Sequence, residues 1–157
     1  MITNGDVLKL DNLLSKRVEI TQNDLSLLLN RIRSFCYNNE IVVNNIVTAT
    51  FGVRNDNNNN QLIDMEILLD LQGNTIPNNF PDDFQTKEKI EIINALHTHF
   101  MGKNQESIIA YNEINQYISE HSLQPITPAY AVSHNPYNNS DDIIDIDIYV
   151  GINPNIM

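Results

Sequence analysis

One alternating pattern occurs twice in this 157-residue chain, and it constrains the fold more than any other feature. The segment 144–152 reads Ile-Asp-Ile-Asp-Ile-Tyr-Val-Gly-Ile, and its period of two is typical of a β-strand with one apolar face. The segment 63–71 repeats the pattern 81 residues earlier, with acids in the same two places. The matched acids are Asp64 with Asp145 and Glu66 with Asp147. The match indicates two copies of one unit.

Two amphipathic helices support this duplication. Apolar side chains between Leu25 and Cys36 follow the i, i+3, i+4, i+7 spacing of a helix with one buried face. The positions 82 residues later, from Ser107 to Ile118, again form one apolar stripe. Residues 21–24 offer capping oxygens and an early negative charge, which favour a helix start. We therefore predict helices at about 23–38 and 105–121.

Segments rich in β-branched residues around these helices predict strands. The predicted strands are 16–21, 46–53, 61–71, 96–101, 129–134 and 144–152, with a hairpin loop at 135–142. Residues 1–14 show no clear preference. The chain is therefore expected to be a single domain, 1–157, with two β-α-β-β units at about 15–71 and 96–152 and a linker at about 72–88. This is an α+β fold with a mostly antiparallel sheet, one main helix per unit on the outer face and a groove between the halves.

Composition limits the classes of partner. The net charge of −11 opposes binding to nucleic acid. No apolar stretch approaches the length of a membrane span, and residues 1–6 lack the pattern of a secretion signal. The single cysteine, Cys36, lies on the apolar face of the first predicted helix and cannot form an internal disulfide. We expect a cytoplasmic protein without membrane insertion.

The acids of the two matched strands lie on the face opposite the apolar one. They are Asp64, Glu66, Asp70, Asp145 and Asp147. If that face lines the groove, its carboxylates could hold a cationic ligand or a basic peptide; otherwise it is the solvated face of an antiparallel sheet. Leu68 and Tyr149 interrupt the acids and add an apolar patch suited to contact. The candidate groove residues are Glu66, Leu68, Asp147 and Tyr149.

The sequence gives little support for catalysis or for a metal site. His97 and His99 would share one face of a strand, but no third ligand occurs at a telling spacing, so we predict no metal. No nucleophile is flanked by turn glycines, and no glycine loop suited to phosphate is present. We predict a protein that is not an enzyme and needs no cofactor.

The order of elements resembles the gyrase-inhibitor-like fold, which is also the effector-binding domain of bacterial multidrug-responsive regulators. In ligand-binding members of that family, an acid on the last strand contacts cationic compounds. The resemblance assigns this role to Asp147 and, in the first unit, to Glu66. The drug-binding members line their pockets with tryptophan and other aromatics, whereas this chain has no tryptophan.

Several short motifs resemble a small family of similar fold, of unknown function, encoded in Gram-positive type VII secretion clusters beside toxins with an LXG-type N-terminal domain. The motifs are Asp11-Asn12, Ser15-Lys16, Asn94-Ala95-Leu96-His97-Thr98-His99 and Thr127-Pro128-Ala129-Tyr130. At least one such protein is thought to be a cytoplasmic chaperone that brings a nuclease toxin to the secretion ATPase. The resemblance implies the same role here.

Three hypotheses follow. The first is a non-enzymatic adaptor or chaperone that binds an LXG-type toxin and targets it to the type VII secretion system, with the secretion ATPase as a further partner. The second is a stand-alone module that binds a cationic small molecule. The third is an immunity protein whose acidic surface neutralises a nuclease toxin. Edge strands could also pair two copies of the chain.

Overall fold

The computed structural model describes residues 1–71, 79–134 and 143–154. Within them lie six strands and two α-helices. In chain order these are β1 (Thr3–Ile20), α1 (Gln22–Asn38), β2 (Asn45–Asn55), β3 (Gln61–Asp70), β4 (Gln85–Lys103), α2 (Ser107–Glu120), β5 (Pro125–Ser133) and β6 (Ile143–Ile152). A 3-10 turn at Asn104–Glu106 leads into α2.

The six described strands form one closed antiparallel barrel in the order β1-β3-β2-β5-β6-β4, in which β4 returns to β1. β1 and β4 are the longest strands, with 18 and 19 residues. Each is long enough to pair with two neighbours, β1 with β3 and β4, and β4 with β1 and β6. These two strands therefore join the parts of the barrel that precede and follow residue 80.

The predicted fold class is wrong. We expected an α+β domain of duplicated β-α-β-β units, gyrase-inhibitor-like, with two sheet halves facing a groove. The structure instead has a mostly-β barrel, because β1 and β4 begin well before the predicted strands at 16–21 and 96–101. The added segments pair with each other, for example Leu8 with Ile92, and this pairing closes the sheet. The duplication of sequence remains a prediction.

Each helix covers one side of the barrel from outside. α1 packs on the outer faces of β1, β2 and β3 through Leu28 and Ile32, and its N-terminus is capped as expected, since the Thr21 hydroxyl accepts from the Asp24 backbone N–H. α2 packs on β4 and β6 through Ala110 and Ile114. The apolar faces of the two matched strands therefore point outward, toward helices.

A third apolar cluster fills the barrel interior. Its buried members are Leu8, Leu13, Val47, Leu68, Ile90, Ile92, Ala95 and Val132, with Leu10, Tyr130 and Tyr149 packed against them. A barrel of so few strands has an interior that side chains can fill. Most barrel strands thus bury residues on both faces.

The remaining segment predictions vary in outcome. The helix predicted at 23–38 is confirmed as α1, and the one at 105–121 corresponds to the 3-10 turn and α2. Of the predicted linker at 72–88, residues 72–78 lie outside the described residues and residues 85–88 belong to β4. The predicted hairpin loop at 135–142 also lies outside the described residues. In the described ranges, no helix is both long and apolar enough to cross a membrane.

Close packing at Gly151 generates a prediction for stability. A Cβ there would lie 2.7 Å from Thr127 Cγ2, and the Thr127 hydroxyl accepts a hydrogen bond from the Gly151 N–H. We expect Gly151→Ala to lower the free energy of unfolding by about 1–3 kcal/mol, because overpacking forces β5 and β6 apart. Urea denaturation measures the loss.

The matched control is Gly52→Ala. A Cβ at Gly52 meets no atom within 4 Å, so this variant should change the unfolding free energy by less than about 0.5 kcal/mol. Equal effects of the two variants would contradict the packing described at Gly151.

Candidate functional site

The acid-bearing face of the two matched strands is the inside of the barrel. Leu68 has no exposed surface and belongs to the interior cluster, and Tyr149 packs against that cluster. The solvated-face interpretation is therefore wrong for these residues. β3 and β6 occupy opposite positions in the ring of six strands, so their acid-bearing faces are separated by the side chains that fill the interior and not by an open groove. Glu66 and Asp147 consequently belong to two separate polar clusters.

The first cluster surrounds Glu66. The Ser15 hydroxyl donates to Glu66 Oε2 over 2.6 Å, and the Lys87 ammonium donates to the same oxygen over 3.0 Å. The Glu66 side chain is 13% exposed, so this pairing offsets much of the cost of placing a carboxylate there. Burial raises the pKa of Tyr130, with the Glu66 charge adding to the rise and Lys87 opposing it.

The Glu66 cluster continues toward the start of β3. Arg17 holds Asp64 through two hydrogen bonds of 2.7 and 2.9 Å, and its guanidinium carbon lies 3.7 Å from the centroid of the Phe51 ring. An open cavity of about 520 Å³ adjoins these residues. Its lining is mostly charged and polar, and consists of Ser15, Lys16, Arg17, Glu66, Asp83, Gln85, Thr86 and Lys87.

The second cluster surrounds His97 and Asp147. His97 Nε2 lies 2.6 Å from Asp147 Oδ1, and His97 Nδ1 lies 3.0 Å from Asp6 Oδ2. His97 thus contacts one carboxylate through each of its two ring nitrogens. The Tyr149 ring stacks on His97 with centroids 4.5 Å apart and 10° between the planes. His97 is therefore fixed on three sides.

The cluster extends across the barrel through His134. His134 Nε2 contacts the second Asp147 oxygen, and its Nδ1 lies 3.2 Å from the Asn45 amide. That amide satisfies more partners when its NH₂ group faces His134. Asn44 in turn donates to Asp70. Side-chain contacts thus run from β1 through β4, β6 and the end of β5 toward β2 and β3.

Two acid–base pairs lie at matching positions in the two clusters. His99 Nε2 is 2.5 Å from Asp145 Oδ1, and Arg17 and Asp64 occupy the positions 82 and 81 residues earlier. β3 and β6 run in opposite directions, because three antiparallel steps separate them around the ring. Each pair therefore lies toward a different mouth of the barrel.

The electrostatics at Asp147 favour its ionised form. Burial would raise the pKa of this carboxyl, but hydrogen bonds and charge from His97 and His134 outweigh burial and lower it. Burial also raises the pKa of Tyr149, and the charges of Asp147 and Asp6 add to that rise. Asp147 is thus an anion held between two imidazoles, and Tyr149 remains a neutral phenol.

His97 and His99 each contact an aspartate of β6. His97 and His99 do lie on one face of β4, as their spacing predicts, yet each uses its ring nitrogen to contact an aspartate. Among the described residues, no group of three or more His, Cys, Asp or Glu side chains is arranged to hold a metal ion. Cys36 is fully buried against α1's apolar neighbours, and burial raises the pKa of its thiol to about 11.

Several cluster members were not among the predicted site residues. Ser15, Lys87, Asp6 and His134 pair with Glu66, His97 or Asp147. Ser15, Lys87 and Asp6 lie in parts of β1 and β4 outside the predicted strands, whereas His134 is the last residue of the predicted strand 129–134. A signal was present, since Ser15 and His97 are 82 residues apart, the offset at which the two helices match. That offset relates Ser15 to His97 but gives no signal for Lys87, Asp6 or His134.

Outside the barrel, the C-terminal end of α1 and the following loop border an open recess of about 790 Å³. The lining residues are Arg33, Ser34, Cys36, Tyr37, Asn38, Glu40, Ile41 and Val42. Tyr37 is 80% exposed and Val42 is 57% exposed. The recess is more apolar than the cavity beside Glu66.

Comparison with known proteins gives the fold alone. No family model and no curated protein matches the chain. A hydrolase from Listeria innocua superposes with a TM-score of 0.55 at 8% identity, covering 94% of this chain and 91% of that one. An uncharacterized conserved protein from Listeria innocua gives a TM-score of 0.53 at 10% identity, covering 95% and 93%. The barrel is therefore a fold that solved bacterial proteins share.

Truncation of Leu68 tests whether the acid-bearing face of β3 lies in a filled interior or in solvent. We expect Leu68→Ala to lower the free energy of unfolding by about 2–5 kcal/mol, because it leaves a cavity among the interior side chains. Val7→Ala is the control, since Val7 is 50% exposed and its truncation should cost less than about 0.5 kcal/mol. Chemical denaturation measures both, and a small loss for Leu68→Ala would contradict the interior assignment.

Asp147 generates a prediction on pH. The pKa of Asp147 in the folded state lies below the ordinary value of 3.8. Its contribution to the free energy of unfolding is therefore complete above pH 3.8 and is lost as the pH falls through the pKa of the folded state. We expect Asp147→Asn to lower the free energy of unfolding at pH 7 by about 2–3 kcal/mol, because two hydrogen bonds to a charged group are lost. The difference from wild type should shrink below pH 3.8.

Urea denaturation over a pH series measures this difference. The control is Glu113→Gln, which removes an exposed charge from α2 and should have little effect at any pH. A loss for Asp147→Asn that stays constant down to acid pH would show that the carboxylate charge does not contribute.

Proposed function

We propose that this chain is a non-enzymatic adaptor that binds a protein toxin and targets it to a type VII secretion system. The resemblance of its motifs to proteins encoded beside LXG-type toxins supplies the class of partner. One structural observation supports binding on the outer surface: the barrel interior is filled by side chains, and its charged groups already pair with one another.

This pairing makes the two candidate acids poor binding groups for an external ligand. Both oxygens of Asp147 contact imidazoles, and Glu66 accepts from Ser15 and Lys87. A cation would have to displace these partners and leave buried groups unpaired, at a cost of about 1–3 kcal/mol for each. Among the described residues, those that line the cavity beside Glu66 include no aromatic side chain. The geometry therefore favours a protein partner over a cationic small molecule.

The outer surface offers features suited to a protein partner. The recess beside α1 presents the exposed side chains of Tyr37 and Val42, and a recess with an apolar lining can accept the apolar face of a helix. The net charge of −11 would speed association with a basic segment. The partner that fits is an amphipathic, basic helix, as expected of the helical, secretion-directing region of an LXG-type toxin.

Affinity capture from the native host tests this proposal. The tagged chain should recover one LXG-type toxin, with the secretion ATPase as a further component, and mass spectrometry identifies both. Deleting the chain should reduce export of that toxin and leave export of other substrates unchanged. Recovery of the chain alone, together with unchanged export, would contradict the proposal.

A variant of the recess adds a test of the surface. Tyr37→Ser removes an exposed aromatic ring and should weaken binding to the purified toxin N-terminal region about tenfold, as expected for an aromatic anchor. Ile108→Ser is the matched control, because Ile108 is 60% exposed but lies on α2. Equal affinities for the two variants would place the contact elsewhere.

Neutralisation of a nuclease toxin is a second candidate, which the net charge of −11 favours. An acidic protein can occupy a surface that binds nucleic acid. The same purified toxin separates the two functions, since an immunity protein blocks nuclease activity and an adaptor need only bind the N-terminal region.

A further inference from the structure

The polar cavity of about 520 Å³ lies where the ladder between β1 and β4 ends, at Ser15 opposite Gln85. Beyond Ser15, β1 continues beside β3, while the chain that precedes β4 turns away from it. That turn contains Asp82 and Asp83, whose φ values are 64° and 57°. The cavity therefore forms between the end of the ladder and this turn.

The turn that walls the cavity is held against α1. Arg31 Nη2 donates to Asp82 Oδ1 over 3.0 Å, and the Asp82 side chain is 22% exposed. The Phe80 ring packs edge-on against Phe35 of α1 and against Phe84, with centroids 5.2 and 5.8 Å apart. These contacts fix the turn on both sides of its two positive-φ residues. The wall is thus ordered before a ligand binds, which lowers the entropic cost of binding.

The lining holds one cation and one anion, Lys16 and Asp83, that have no partner within the described ranges. Lys87 by contrast donates to Glu66 over 3.0 Å. The side chains of Lys16 and Asp83 make no hydrogen bond or ion pair with any described residue, although both border the same cavity. A ligand that brings the opposite charge to each of them would complete two ion pairs at once.

The other cations of the lining can add hydrogen bonds to a carboxylate. The Lys87 ammonium has three N–H groups, and one of them suffices for its contact with Glu66. The Arg17 guanidinium has five, and two of them donate to Asp64. The donors that remain suit the oxygens of a carboxylate bound beside them.

Acceptors suited to an ammonium group lie next to Asp83. Gln85 and Thr86 follow it by two and three residues and line the same cavity. Their amide and hydroxyl oxygens can accept from an ammonium group, as the Asp83 carboxylate can. The cavity thus combines donors for an anionic group with acceptors for a cationic one.

We propose that this cavity binds a small zwitterion, a free amino acid or short peptide, with its carboxylate at Lys16 and its ammonium group at Asp83. Glu66 keeps its own partners, so the site avoids the displacement that disfavours a cationic ligand. A zwitterion has no net charge, so the net charge of −11 does not repel it. The cavity volume lies within the range of small-molecule sites. This site goes beyond the adaptor role and does not rest on it.

The openness of the cavity to water limits the expected affinity. Ion pairs that water reaches contribute little, so the Kd should be on the order of 1 mM. An NMR titration of the full chain tests the proposal, with L-glutamine or glycyl-L-glutamine added up to roughly 20 mM to bracket that Kd. At least one probe should shift the amides of residues 15–17 and 83–87 along a saturable curve. The two probes differ in the spacing of their charges, so they distinguish an amino acid from a peptide.

Analogues of the probe that binds test each charge separately. Its N-acetylated form lacks the ammonium group, and its C-terminal amide lacks the carboxylate. Each analogue forms one ion pair instead of two and should bind about fivefold more weakly. These measurements use the wild-type chain, so they do not depend on the folding of any variant.

Variants of the protein test the same two contacts. Lys16→Gln and Asp83→Asn should each weaken binding of the zwitterion about fivefold. Lys16→Gln should leave the affinity for the C-terminal amide unchanged, because that analogue has no carboxylate. Asparagine tolerates the positive φ at Asp83, so the turn should be preserved. Lys103→Gln is the control, since Lys103 is exposed at the other end of β4 and should leave the Kd unchanged.

Three results would overturn the proposal. The first is that neither zwitterion produces a saturable shift at the lining residues. The second is that the singly charged analogues bind as tightly as the zwitterion. The third is that Lys16→Gln and Asp83→Asn bind it as tightly as the wild-type chain does.

Discussion

The pairing of β1 with β4 closes the barrel, and the rest of the structure depends on that closure. It joins Leu8 to Ile92 and Leu13 to Lys87, residues far apart in the chain. β1 is irregular, with register shifts near its start and with a positive φ at Gly5 and Asn12, of 77° and 56°. Such irregularities increase local twist and turn a flat ladder into a closed one.

Closure gives the barrel an unusual distribution of polarity. The helices cover its outside, so the alternating strands β3 and β6 place their isoleucines outward and their acids inward. Acids inside a protein require partners, because an unpaired buried charge is costly. The chain supplies Ser15, Lys87 and Arg17 on one side and three histidines on the other. The interior is consequently apolar in the middle and ionic toward each mouth.

Some of this could be read from the sequence. The helical stripe around Ile32 and the Thr21 cap predict α1 correctly, and the alternation at Ile146 and Ile148 predicts β6. The same alternation could not say which face points inward, since a covered barrel and an open sheet share the pattern. β1 and β4 were missed for most of their length because irregularities interrupt their period: Asn12 has a positive φ between Leu10 and Leu13, and a register shift separates Ile92 from Ala95. Without those strands, the partners of Glu66 and Asp147 could not be placed.

The order in which the strands pair has a consequence for synthesis of the chain. β1 is synthesised before both strands that it pairs with, and one of its two edges stays unpaired until residues 85–97 have been made. β4 in turn lacks its partner β6 until residues 143–151 have been made. Contacts of such large sequence separation form slowly, because the intervening loop must close first. The apolar side chains along that edge of β1 therefore stay unprotected until β4 has been made. A cell that makes this protein must keep that nascent segment from associating with other chains.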